Sequence, residues 1–157
     1  DRRLYIEGFF LSSDGKQSAA MKHFKQALEL APKEDRYWSA ASMSLASQGK
    51  VNESIAMLEK GLQELPENVN LKANLGLRYI SLKDFARVET IIAELEKSTQ
   101  PHAAYHAFML KASSAEHQGQ YKEAVSLYDQ ADARAGEVNA LTGLGQQRCR
   151  EKMKNKK

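Results

Sequence analysis

The chain has 157 residues, of which 42% are hydrophobic and 27% charged, and its 23 Lys and Arg against 20 Asp and Glu leave a formal charge of +3. A charge so small and so dispersed makes no demand for nucleic acid or an anionic membrane as partner, and no apolar run approaches the ~18–20 residues of a membrane-spanning helix. Three prolines and nine glycines punctuate a composition that favours helix almost everywhere, and the lone Cys149 excludes an internal disulfide while leaving the compartment open.

At the start, Leu4, Gly8 and Leu11 lie at helical spacing, Gly15 follows, and Ala20, Phe24, Ala27 and Leu28 resume the spacing until Pro32. Small residues let two helices approach and large ones fill the gap, so residues 1–34 predict a helix, a turn with positive φ at Gly15, and a second helix running back along the first. The pattern returns 34 positions later: Trp38, Ser42 and Leu45, then Gly49, Ser54, Leu58, Gly61 and Pro66, over 35–68. A third copy over about 69–102 has Lys72, Leu75, Gly76 and Tyr79, then Lys83 in place of the turn glycine, Phe85, Val88, Ile92 and Leu95, and Pro101 to close. The fourth, about 105–136, arrives two residues late with Phe108, Ala112, Ala115, Gly119, Tyr121, Ala124, Tyr128 and Ala131, and Gly136 stands where a proline would close it. The insertion is expected between Pro101 and Tyr105. Leu141, Leu144 and Gly145 then begin one more first helix, over about 137–153, with no second helix after it, which is the pattern of a terminal cap.

Punctuation held in phase over four copies resembles the tetratricopeptide repeat family, whose unit of about 34 residues carries W-x-x-L-G-x-x-Y and then A-x-x-x-F...P. The resemblance covers nearly the whole chain. It implies an all-α fold, a right-handed superhelical solenoid of antiparallel helix pairs in four repeats plus a C-terminal capping helix, as one array over 1–157. It further implies a non-catalytic scaffold for protein-protein interaction, holding a partner peptide or protein segment in a concave groove lined by the first helices, within a larger assembly. Carried over position by position, that groove includes Arg2, Tyr5, Phe9 and Ser12; Arg36, Ser39, Met43 and Ala46; and Asn70, Ala73, Asn74, Leu77, Ile80 and Ser81. His106, Met109, Ser113 and Glu116 follow, and the capping helix adds Asn139, Thr142 and Gln146. Tyr5, Phe9, Met43, Leu77, Ile80 and Met109 would make an exposed apolar row, with Arg2 and Arg36 able to fork onto a carboxylate. Co-chaperone members clamp a chain terminus with Lys, Arg and Asn, but the matching positions hold Tyr5, Phe9, Ala40, Asn70 and Asn74, so chaperone-tail binding is not expected.

Catalytic and metal signatures are missing. His102 and His106 lie one helical turn apart without a third ligand, and His117 is three turns further on. Gly143 and Gly145 form a G-x-G with no preceding strand, and there is no P-loop, G-x-S-x-G or H-E-x-x-H. Ser12, Ser13, Ser113 and Ser114 lack a paired base, and Glu94, Glu96, Glu64 and Glu67 belong to solvated faces. No enzyme activity, metal or cofactor is therefore expected. Two other readings stay open. The chain, which starts at Asp1 without a signal-peptide pattern, would be an accessory, substrate-recruiting domain excised from a larger enzyme or envelope or secretion protein. Alternatively the end, where Arg148, Arg150, Lys152, Lys154, Lys156 and Lys157 face only Glu151, would contact nucleic acid, although a solvated helix end is the simpler expectation.

Overall fold

The computed structural model describes residues 1–135 and 140–155; Gly136 and Asn139 lie outside them. Nine helices make up the described residues: α1 (Arg2–Ser13), α2 (Gln17–Leu30), α3 (Asp35–Ser47), α4 (Val51–Glu64), α5 (Val69–Ser81), α6 (Phe85–Lys97), α7 (Ala103–His117), α8 (Tyr121–Ala135) and α9 (Ala140–Lys154). They fall into two compact units, Asp1–Arg78 and Tyr79–Lys157, and the boundary lies inside α5.

The turns within helix pairs share one closure. Gly15, Gly49 and Gly119 adopt φ of 76°, 76° and 79°, the left-handed region that costs glycine least. The next amide donates back five residues, from Lys16 to Leu11 at 2.8 Å, Lys50 to Leu45 at 3.0 Å and Gln120 to Ala115 at 2.9 Å, satisfying a carbonyl that the helix end leaves open. Lys83 takes the same conformation at φ 58° with the same bond, Asp84 to Tyr79 at 2.9 Å, so register prevails over residue type. His102, at φ 64°, carries the insertion ahead of α7.

In the first unit, α1 packs on α2 and α3, α2 on α3, and α3 on α4. Gly8 is buried because Phe24 lies over it, where an added Cβ would come within 2.7 Å of the ring. Gly61 sits in the same way beneath Trp38 and Leu71. Ser42 and Ser54 stand one repeat on from Gly8 and Ala20 and keep the close approach, their hydroxyls 2.7 Å apart and that of Ser54 donating to the Ser42 carbonyl at 2.8 Å. Tyr37, Phe24, Leu58 and Leu71 complete this core.

In the second unit, α7 packs on α6 and α8, and α9 on α8. Tyr128 and Cys149 are buried with Ala112, Ala115 and Ala124, and Met109, Tyr121, Val125 and Leu127 close around them. Gly145 leaves room for the Tyr128 ring, which a Cβ there would overlap. Among the described residues no helix is long and apolar enough to cross a membrane.

Candidate functional site

The first helices α3 and α7 turn a matching set of residues inward. On α3 these are Tyr37, Ala40 and Ser44, all buried, with the Ser44 hydroxyl donating to Gln17 Oε1 of α2 at 2.9 Å. Ala107, Leu110 and Ser114 follow the same spacing on α7 and are buried too. The residues one position away, about 100° around the helix by its 3.6-residue period, form a flanking, more open face.

Of the expected groove residues on the first unit, Arg2, Phe9, Arg36, Met43, Asn70 and Leu77 are exposed. Phe9, Met43 and Leu77, 34 apart in sequence, are 53%, 60% and 38% exposed. Hydrogen bonds join the helices beside them: Asn74 Nδ2 donates to Ser39 Oγ at 3.0 Å, and Asn68 and Asn70 donate to Asp35 Oδ2 at 3.1 and 2.9 Å. Burial pushes the Asp35 carboxyl up, but the hydrogen bonds from Asn70, Asn68 and the Arg36 amide, with the Arg36 charge, outweigh it and hold the group below its ordinary range. Asn68 also accepts from the Leu71 amide at 2.9 Å and so caps α5. Arg2 and Arg36 are exposed, and Arg36 pairs with Glu34 at 2.7 Å while its guanidinium lies 5.9 Å over the Tyr5 ring and 5.5 Å over Tyr37.

The expected surface needs correction in places. Tyr5 is half-buried, its ring 5.1 Å from Tyr37 and 6.1 Å from Phe24, so much of it belongs to the packing of α1. Ala73 and Ile80 are 7% and 1% exposed and cannot meet a ligand, because α5 turns them into its core. Ser12 bonds Gln17 at 3.0 Å, Ala46 is partly buried, and Ser81 is exposed.

On the second unit, α7 carries partly buried His106, Met109, Ser113 and Glu116. Burial, together with neighbouring His102, pushes His106 below the ordinary histidine value. Burial raises the Glu116 carboxyl, but hydrogen bonds from Arg148 and Tyr128 and the Arg148 and His117 charges reverse this and hold it low. The bonds run from Arg148 Nε and Nη2 at 2.8 and 3.0 Å and from the Tyr128 hydroxyl at 2.8 Å.

The capping helix is rotated relative to expectation. Thr142 is fully buried and donates to Asp132 at 2.5 Å, so it does not line an open face, while Gln146 is partly buried and donates to Asp129 at 2.9 Å. Asn139 lies outside the described residues. Thr142, Gly145 and Cys149 are the buried set, at the spacing of Tyr37, Ala40 and Ser44. That register puts Leu141 and Leu144 where α3 has Arg36 and Ser39, and they are 62% and 54% exposed. Sequence reasoning missed both as surface residues, because Leu144-Gly145 imitates the L-G of the repeat. The signal that finds them is the polar pair Thr142 and Asp132. Burial raises the Cys149 thiol, which disfavours a reactive thiolate.

Between α2 and α4 a cleft of about 320 Å³ is floored by Trp38 and Met57, but Lys25, Lys60, Glu29 and Glu64 ring it with both signs of charge and select no ligand class. No group of three metal-binding side chains occurs among the described residues.

Residues 2–34 and 45–112 match two family models, each described as tetratricopeptide repeat. The chain belongs to the tetratricopeptide repeat family. A tetratricopeptide repeat protein from Parabacteroides merdae superposes with a TM-score of 0.68 at 19% identity, over 96% of this chain and 57% of its own. A chain of the APC/C hetero-tetramer Cut9-Hcn1 gives 0.75 at 14% identity over 96% of this chain and 30% of its own, and MamA AMB-1 gives 0.55 at 16% over 96% and 81%. At these identities the likeness concerns the fold, an all-α helical solenoid of repeats, and the chain spans a little over half of the first of these structures and under a third of the second. No curated protein sequence matches it. Tetratricopeptide repeats indicate a protein-interaction scaffold on a typically non-catalytic fold.

Proposed function

We propose that the repeats over 1–157 act as one non-catalytic array, a component of a larger assembly, and that the open face of α1, α3 and α5 holds an extended segment of a partner protein. One observation carries this: Phe9, Met43 and Leu77 occupy the same place in successive tetratricopeptide units and are all exposed. Side chains at such places cost solubility unless something covers them. Adjacent packed helices lie about 8–10 Å apart, so three of them offer contacts along a stretch that about six extended residues span. Asn70, Asn74 and Ser39 border the stripe with amide and hydroxyl groups suited to a peptide backbone, and Arg2 and Arg36 stand at the helix starts, suited to a carboxylate. His106 and Met109 belong to the corresponding face of the second unit. Each apolar side chain buried there contributes about 1.5–3 kcal/mol, which after ordering costs gives binding on the order of micromolar.

The test is selection of displayed random peptides against the whole chain, followed by affinity measurement on Phe9→Ser with Met43→Ser. Both residues are exposed, so helical circular dichroism and the unfolding midpoint stay as they are, while selected peptides with alternating apolar residues lose at least about tenfold in affinity. Peptides that bind the double variant as tightly as the parent chain defeat the assignment.

A further inference from the structure

We infer that the open face of α7 and α9 in the second unit receives an acidic amphipathic segment of a partner protein, its apolar side chains seated on Leu141 and Leu144 and its carboxylates on Lys152. This rests on the reading of the chain as a protein-holding scaffold and names the partner chemistry of a second surface. The register of α9 supplies the first argument. With Thr142 and Cys149 fully buried, Leu141, Leu144, Arg148 and Lys152 follow one another at three- and four-residue steps on a single stripe, which a helix presents to one side. The two leucines, 62% and 54% exposed, stand at the repeat positions that His106 and Met109 hold on α7, and Met109 packs against the Tyr128 cluster.

Charge selects the occupant. The stretch Ala140–Lys154 carries Arg148, Arg150, Lys152 and Lys154 against Glu151 alone. Arg148 is spent on Glu116, which holds it with two hydrogen bonds at 2.8 and 3.0 Å, and Glu151 accepts from Gln147 at 3.0 Å. Lys152 is exposed and has no ion pair among the described residues. A surface that joins two exposed leucines to an exposed lysine is complementary to leucine-like side chains followed about two turns later by carboxylates. A nucleic acid would use the same lysines but leave the leucines in water, so the apolar half of the stripe favours the peptide.

The experiment uses the whole chain and three fluorescein-labelled synthetic probes. The first is a peptide with two leucines one helical turn apart followed by two glutamates, the second its counterpart with lysines for the glutamates, and the third a single-stranded DNA oligonucleotide. The acidic peptide is expected to bind, the basic one about tenfold more weakly. Leu141→Ser with Leu144→Ser lowers acidic-peptide affinity at least about tenfold with helical circular dichroism retained, and Lys152→Glu reverses the order of the two peptides. The Phe9→Ser, Met43→Ser variant leaves this binding intact, which separates the surface from that of the first unit. Equal affinity for both peptides, no binding of the acidic peptide at millimolar concentration, or displacement of it by the oligonucleotide with a steep salt dependence overturns the inference.

Discussion

Lys83 is a residue whose place in the array overrides its chemistry. A left-handed backbone costs an L-residue about 1–2 kcal/mol, and glycine recovers it at the expense of roughly 0.5–1 kcal/mol of extra freedom in the unfolded chain. Gly15, Gly49 and Gly119 stand at the equivalent turns. Lys83→Gly is therefore expected to stabilise the protein by about 0.5–1 kcal/mol, raising the thermal midpoint by roughly 1–4 °C; a lowered midpoint contradicts the strain. The turn at Lys83 was legible from phase alone, 34 positions after Gly49. The left-handed His102 was not, since nothing in the residue types around Pro101 distinguishes which position absorbs an insertion. Open-face residues were legible where the repeat keeps register, as for Phe9 and Met43. They were misjudged at Ile80, where helical spacing leaves a residue near the edge of two faces and tertiary packing decides.

At the scale of the element, α7 and α9 show what periodicity leaves unsaid. A capping helix was expected over about 137–153 and α9 runs over Ala140–Lys154, but its rotation depends on a half-buried hydrogen bond from Thr142 to Asp132 and on the ring of Tyr128, neither of which a hydrophobic pattern encodes. The same region sets a pH dependence. His106 has a folded value below its ordinary 6.5, so the unfolded chain binds the proton first, and stability present above about pH 6.5 is lost as the pH falls toward the folded value. Glu116 is also depressed in the fold, below its ordinary 4.5, so its contribution is present above that value and declines as the pH drops further. Both act in one direction. Urea unfolding of the whole chain should show stability falling first below about pH 6.5 and again below about pH 4.5. His106→Gln flattens the upper decline and Glu116→Gln the lower. An upper decline that persists unchanged in His106→Gln refutes the first assignment.

For the whole molecule the question is how far a disturbance at one end travels. Repeats contact chiefly their neighbours, so stability is close to a sum of local terms and ends can open before the middle. The single tryptophan, Trp38, is buried in α3 and reports on the first unit, whereas helical circular dichroism reports on all nine described helices. Gly145→Val places a branched side chain where Tyr128 already fills the space, a change that overpacking makes costly by about 1–3 kcal/mol. Its cost should fall on α9 and the Tyr128 cluster alone. We expect the variant to lose part of its ellipticity at lower temperature while the Trp38 fluorescence transition stays within about 2 °C of the parent. Gly61→Val, which crowds Trp38 and Leu71, should instead move both signals downward. If Gly145→Val shifts the Trp38 transition as far as the ellipticity, the chain unfolds as one block, and a partner bound to the face of α7 and α9 would then stabilise the first unit as much as the second.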